Sequence, residues 1–271
     1  MTKISVIMPV YNTEKYVWEA IESILIQSFK DFEFIIVDDC SIDKSYEICK
    51  EYADRDDRIK LFRNEKNLWV VKTRNRLFEN ISQETKYIAI LDADDVSIIY
   101  RLEKEFQFLE SNLDYSIVWS NLIIINEEWE VIWTRSYPKD NIEVWKIISR
   151  KSPLAQPSAM IRKSSLAKVG TYNEEFERCQ DYELWFRFYD EWFKLWNIQD
   201  ALLRYRVFSE QGKSKYLKLS IRNTIKIQEK YIYTKKYFNV FNIIHLYLEK
   251  LLLILPNSLI LWLFKILEYR K

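Results

Sequence analysis

ISVIMPVYN, from Ile4 to Asn12, is a short apolar run that ends in a proline, a tyrosine and an asparagine and leads directly into an amphipathic stretch, Glu14 to Ile26. The same grammar recurs along the first hundred residues. Strands are predicted at Ile4 to Met8, Phe34 to Val37, Ile59 to Phe62 and Tyr87 to Leu91, and helices at about Glu14 to Ile26, Lys44 to Ala53 and Val71 to Asn80. Strands alternating with helices at this spacing form βαβ units, whose right-handed crossovers lay the strands parallel. Each predicted strand is nearly all apolar, as a sheet covered by helices on both faces requires. The fold class is therefore α/β.

Beyond Asp95 the alternation weakens. A helix is predicted from about Arg101 to Ser111, then a strand near Ile117 to Ile125, a hairpin turn in NEEWEVIW (Asn126 to Trp133), a polar loop through Ser152 to Ser158 and a helix over Asp181 to Trp192. Residues 215 to 271 are helical by pattern, basic and rich in Tyr and Phe. The charge is divided in the same place: residues 1 to 212 hold 29 Lys and Arg against 37 Asp and Glu, whereas residues 213 to 271 hold 12 against 3. The chain is read as a domain over 1–212, with a first half to residue 95 and a second half over 96–212, followed by a basic amphipathic tail over 213–271.

With 271 residues, 48% hydrophobic and 30% charged, the chain can bury a sizeable core, which excludes a disordered tail, a collagen-like repeat and a multi-span membrane protein. Cys40, Cys49 and Cys179 are too few and too scattered for a disulfide framework or a four-cysteine zinc site, so a reducing compartment is expected. Ile4 to Val10 is too short for a secretory leader, and the uncharged run Leu251 to Phe264, broken by Pro256, is too short to span a bilayer. A basic helix with aromatic and leucine faces fits a membrane-surface anchor; the plainer alternative is a C-terminal helix packed on the domain with its basic face in water.

In open parallel sheets ligands bind at the carboxyl ends of the strands. Here strand one ends in PVYN (Pro9 to Asn12), strand two in DDCS (Asp38 to Ser41) and strand four in DADD (Asp92 to Asp95). A single such cluster is usually a helix cap or a turn. Three at successive strand ends point to a site. Asp92 and Asp94, two residues apart on an extended exit, can aim oxygens at one hard cation, Mg²⁺ or Mn²⁺, which takes such ligands together with substrate phosphates.

SVIMPVYN (Ser5 to Asn12), VDDCSIDKS (Val37 to Ser45), KTRN (Lys72 to Asn75), ILDADD (Ile90 to Asp95) and QDYELWFR (Gln180 to Arg187) resemble, in order and spacing, the motifs of family 2 glycosyltransferases with the GT-A fold, over roughly residues 3 to 212. The resemblance implies a GT-A-like three-layer sandwich built on a Rossmann-like nucleotide-binding sheet. It implies an inverting transfer of a sugar from a nucleoside-diphosphate sugar, a UDP-sugar above all, to an acceptor hydroxyl of a cell-envelope polysaccharide or lipid-linked glycan. Pro9, Tyr11 and Asp39 then match the nucleotide contacts, Asp39 as acceptor for the uracil N–H, and Arg74 the basic residue near the nucleotide. Asp92 and Asp94 match the D-x-D pair, Asp92 facing ribose and metal and Asp94 the metal. Asp181 stands where the family has its general base. The implied place of action is the cytoplasmic face of the cell membrane, with peripheral contact to an anionic surface and no nucleic acid as partner.

Departures from the family pattern carry consequences. Gln180 replaces the usual Glu, which removes a like charge and should lower the pKa of Asp181. Phe208 follows Tyr205 and Arg206 where many relatives carry a His, so a His contribution to the metal or diphosphate is absent. Trp185, one turn after Asp181, is read as core, and Arg187 equally as a solvated charge or a ligand. The lone His245 lies in the tail and is read as structural. Two other readings compete. A sugar-phosphate nucleotidyltransferase would need a Gly-rich, Arg-containing loop after strand one, and PVYN has none. A catalytically silent nucleotide-sugar-binding subunit, disabled at Gln180 and Trp69, would differ from an enzyme in failing to hydrolyse donor.

Composition carries one anomaly. Average usage of about 7% Gly would give roughly 19 residues, yet the chain has 2 Gly and 10 Trp. Trp69 and Trp129 stand where the family has or accepts Gly, and Trp18, Trp119, Trp133, Trp192 and Trp196 are further candidates. An indole where the backbone needs φ > 0 is strained. A gene that uses UGA for Gly, conceptually translated with UGA as Trp, would account for both excess and deficit; UGG codons at 69 and 129 would exclude it.

Overall fold

The computed structural model describes residues 3–208, 216–234 and 236–268, with side chains described as far as residue 263. The predicted boundary at 212 falls within 209–215, outside the described residues.

Four parallel strands form one side of the sheet in the order β3 (Ile59–Arg63), β2 (Phe32–Asp38), β1 (Ile4–Val10), β4 (Tyr87–Ile90). The sheet continues through β8 (Met160–Arg162), β6 (Tyr115–Ile125), β9 (Lys194–Arg206) and β5 (Val96–Ser97), with β7 (Val131–Arg135) hanging from β6. Here the pairing is mixed: β8 runs antiparallel to β4 and β6, while β9 is parallel to β6. The four early strands and the β6–β7 hairpin match the sequence expectation. β5, β8 and β9 do not appear in it, because β5 and β8 are two and three residues long and β9, KLWNIQDALLRYR, breaks any period-2 pattern with shifts of register against β6.

Alternation along the strands divides the interior into two cores. Val6, Met8 and Val10 with Phe34 and Ile36 face one way, onto α1 (Val17–Leu25), α2 (Ser45–Ala53) and α4 (Arg101–Ser111) through Val17, Ile21, Cys49 and Leu102. Ile7, Ile35, Val37, Ile88 and Ile90 face the other way. They meet Val71 and Leu77 of α3 (Trp69–Glu79), Val144 and Ile148 of α5 (Asn141–Ile148), Leu166 of α6 (Lys163–Val169) and Leu184 to Phe186 of α7 (Gln180–Asp190). Helices thus cover both faces, which is why the central strands tolerate no polar face.

The C-terminal segment is bound to this second face. In α8 (Leu217–Ile232), Tyr231 stacks on Phe186 of α7 with centroids 4.5 Å apart and planes 4° from parallel. Lys226, Lys230 and Lys236 reach Glu175, Glu183 and Asp190 at 3.5, 3.2 and 3.6 Å, so part of the basic charge of this segment answers the acidic charge of the preceding one. Leu246 of α9 (Val240–Leu252) and Ile260 of α10 (Asn257–Glu268) close a third, smaller core against Leu217, Ile221 and Ile225. Among the described residues no helix is long and apolar enough to cross a membrane.

Candidate active site

β2, β1 and β4 are neighbours, so the polar residues that follow them open along one edge of the sheet. Pro9 pairs with Val37 inside the ladder, and Tyr11, just past β1, is 45% exposed at its rim. Asp39 is buried, and its Oδ1 accepts from Asn64 Nδ2 at 2.6 Å and from the Leu68 amide at 2.8 Å. The Asn64 amide also donates to Thr73 at 3.1 Å, which ties Asp39 to the helix that carries Arg74. Asp38 beside it is structural, held by the Ser41 amide and Arg63 at 3.1 Å each.

Arg74 is the hinge of the arrangement. Buried at the inner face of α3, its guanidinium donates to Asp92 Oδ1 at 2.5 Å and to Gln156 Oε1 at 2.9 Å, and Gln156 in turn donates to the Tyr172 hydroxyl. Asp181, in the first turn of α7 after Cys179 in the left-handed region (φ 61°), lies within electrostatic reach of Arg74, Asp92 and Tyr172. The structure therefore brings Arg74, Asp92 and Asp181 together, although they come from α3, the end of β4 and α7. Burial lifts the Asp181 carboxyl above its usual range, against the opposing pull of the Arg74 guanidinium and the helix amides. The lowering expected from Gln180 is outweighed: loss of solvent, not the neighbouring side chain, sets the direction.

The Asp92–Asp95 turn is crowded with carboxylates. Burial first, and the charge of Asp92 second, push Asp94 up to about 7, and Asp95 is raised by burial and by Asp94. Such crowding is what a divalent cation relieves, so the donor chemistry at Asp92 and Asp94 fits Mg²⁺ or Mn²⁺. Among the described residues no set of three or more His, Cys, Asp and Glu side chains is disposed to hold a metal alone, so further oxygens would come from phosphate and water. The turn is held by Arg206, which donates from Nε to the Asp94 carbonyl at 3.1 Å and from its amide to Asp95 Oδ1 at 3.0 Å, and which pairs with Glu19. Phe208 packs on Tyr16 with centroids 5.0 Å apart.

The holding roles of Arg206, Gln156, Tyr172 and Asn64 are not legible in the sequence, because each lies far along the chain from the residue it holds; Arg206 is marked only as a neighbour of Tyr205 in the family pattern. Trp185 is fully buried, as read. Arg187 is half-buried and held by its neighbours: it pairs with Glu183 at 2.8 Å and donates to the carbonyls of Val169, Gly170 and Thr171, clamping α6 to α7. His245 bonds the Arg150 carbonyl at 3.3 Å and Glu249 at 3.2 Å. Replacing Gln156 by Leu leaves Arg74 Nη1 without its acceptor in a guanidinium whose Nε already has none. A loss of about 1–3 kcal/mol is expected in chemical denaturation.

The family model described as glycosyl transferase family 2 matches residues 5–170. The chain is a family 2 glycosyltransferase. It is 34% identical over 224 residues to the O-antigen biosynthesis glycosyltransferase WbnJ of Escherichia coli, covering 79% of this chain and 83% of that one. Among solved structures this glycosyltransferase is similar to Staphylococcus aureus TarS 1-349 in complex with UDP-GlcNAc (TM-score 0.64, 19% identity, 87% of this chain and 72% of that one). It is also similar to the mannosyltransferase PcManGT of Pyrobaculum calidifontis in complex with GDP-Man and Mn²⁺ (TM-score 0.67, 14% identity, 98% and 80%). Its fold is GT-A, as the motifs implied.

Three of the suspected tryptophans have left-handed backbones: Trp69, Trp129 and Trp192, at φ 68°, 68° and 62°. Trp192 follows the last turn of α7, with its amide on the Tyr189 carbonyl and the Phe193 amide on that of Phe188, the paired bonds of a helix end where Gly is usual. Trp129 occupies the tip of the β6–β7 hairpin. Trp18, Trp119, Trp133 and Trp196 are not among the positive-φ residues, and Trp119 is fully buried in the core.

Proposed function

We propose that the glycosyltransferase moves a sugar from a nucleoside-diphosphate sugar, a UDP-sugar above all, to a hydroxyl of a cell-envelope polysaccharide or lipid-linked glycan, with inversion. The observation that carries this is the Arg74 guanidinium, bonded to Asp92 at the strand end where the diphosphate would lie and within electrostatic reach of Asp181 on α7. Asp181 accepts the proton of the acceptor hydroxyl while that oxygen bonds to the anomeric carbon and the bond to the diphosphate breaks on the opposite face. Tyr11 stacks at the rim on the base, the Asp39 oxygen not engaged by Asn64 and Leu68 accepts the ring N–H, and Pro9 shapes the floor. Asp92 and Asp94 would hold Mg²⁺ or Mn²⁺, which would supply a positive charge to stabilise the departing diphosphate. WbnJ, by its name, serves O-antigen synthesis, and an envelope acceptor would bring this enzyme to the inner face of the membrane.

Release of nucleoside diphosphate from a panel of nucleotide sugars, with and without Mn²⁺, tests the reading. Release from no donor in the panel would overturn it in favour of a silent binding subunit. The raised Asp181 carboxyl sets the pH dependence. The base must be ionised, so the rate falls as pH drops through its pKa, and the acid limb of kcat/KM is expected above the ordinary carboxylate range near 4. A limb at or below that range would contradict the assignment.

We also propose that the natural chain carries Gly at Trp69, Trp129 and Trp192, through UGA read as Gly. Supporting this are the left-handed backbones at these positions and the pairing of 2 Gly with 10 Trp. The codons decide: UGG at 69 and 129 would overturn it.

A further inference from the structure

α9 is apolar on more than its buried side. Phe241, Ile244, Tyr247, Leu248 and Leu251 are 51% to 76% exposed, and at 3.6 residues per turn they fall within an arc of roughly 120°. The arc carries no charged residue. The opposite side of the same helix packs through Leu246 and Ile243 into the third core. A helix with a core face and a second, solvent-facing apolar face is unfinished in water.

What completes it is indicated by the adjoining cleft. A cavity of about 240 Å³ lies between α5 and the start of α9, lined among others by Trp145, Lys146, Arg150, Asn239, Phe241 and Asn242. Phe241 thus belongs both to the arc and to the wall of the cleft, so the two are continuous. Lys146 and Arg150 bring two cations, and among the described residues the lining includes no Asp or Glu. The N-terminus of α9, capped by Asn239, opens at the same place and adds the positive end of a helix dipole. Ile142, exposed on α5, extends the apolar surface beyond the cleft.

An apolar arc flanked by a cationic, amide-rich notch matches a bilayer surface, with acyl chains against the arc and headgroup phosphates in the notch. We propose that α9 and α5 form the surface by which this enzyme docks on an anionic phospholipid bilayer. The proposal rests on the reading that the enzyme works at the inner membrane face, and it does not involve the residues assigned to transfer.

Cosedimentation of the full chain with vesicles of phosphatidylcholine alone, and with about one-third phosphatidylglycerol, provides the test. Binding to the anionic vesicles is expected, at least tenfold above the zwitterionic ones. Phe241→Ser/Ile244→Ser/Leu248→Ser is expected to lose binding at least tenfold, and Lys146→Glu/Arg150→Glu to lose the preference for phosphatidylglycerol. Circular dichroism melts check that both variants stay folded. Asp94→Ala, which should abolish transfer, should bind vesicles like the unmodified chain, so failure of docking and failure of the transferase reading are told apart. No binding to anionic vesicles, or binding by both surface variants as tight as that of the unmodified chain, would overturn the proposal. So would sedimentation velocity showing a dimer that the Phe241 variant converts to monomer, since the arc would then face a second copy.

Discussion

Asp181→Asn is expected to lower kcat for sugar transfer by about 10²- to 10⁴-fold, the usual worth of a positioned general base. Donor KM should hardly move. Asparagine preserves shape and the helix position of the side chain, but it cannot take the acceptor proton. Because Arg74 is anchored by Asp92 and Gln156, not by Asp181, the donor side of the cleft should survive the change. Asp94→Ala should fail differently. It removes a crowded carboxylate from the Asp92–Asp95 turn, so its loss should appear as a weakened dependence of donor binding on Mn²⁺, read by calorimetric titration of nucleoside diphosphate with and without the ion. If the two variants lost activity with identical changes in kcat and donor affinity, the separate roles given to α7 and to the strand end would be wrong.

Trp69→Gly should stabilise the protein, an unusual expectation for deleting an indole. Its side chain is 60% exposed while its backbone sits at φ 68°. A left-handed non-glycine residue costs roughly 1–2 kcal/mol, and Gly returns part of that through its greater freedom in the unfolded chain, about 0.5–1 kcal/mol. The net gain should be about 1 kcal/mol, or a rise in Tm of about 2–4 °C. Trp192→Gly and Trp129→Gly should gain less. The Trp192 ring receives Lys236 at 4.1 Å, and the Trp129 indole donates to Glu19 at 3.2 Å and lies beneath Arg206 at 5.0 Å. A fall in Tm for Trp69→Gly would contradict both the strain argument and the recoding proposal.

The parts of the molecule legible in sequence are those where physics acts locally. Ile4 to Val10 and Phe32 to Asp38 are buried on both faces, so composition alone marks them as central strands, and their C-terminal ends locate the candidate cleft. Asp92, Asp94 and Asp181 sit in short motifs whose spacing survives in isolation. What Arg206 and Gln156 hold is not legible there: one grips the Asp94 carbonyl across 112 positions and the other holds Arg74 across 82. β9 escaped for a related reason, since a strand lined by neighbours of mixed polarity, with Asp200 and Arg204 exposed or half-exposed, has no period to read. Solvation escaped too. Counting neighbouring charges moves the Asp181 pKa down, whereas burial, invisible until the helix is packed, moves it up.

The most direct test is stereochemical. Proton NMR of the first sugar product from a turned-over nucleotide sugar reports the anomeric configuration before it equilibrates. A single displacement with Asp181 as base gives a product of opposite configuration to the donor; retention of configuration would require a different arrangement of groups and would contradict the account.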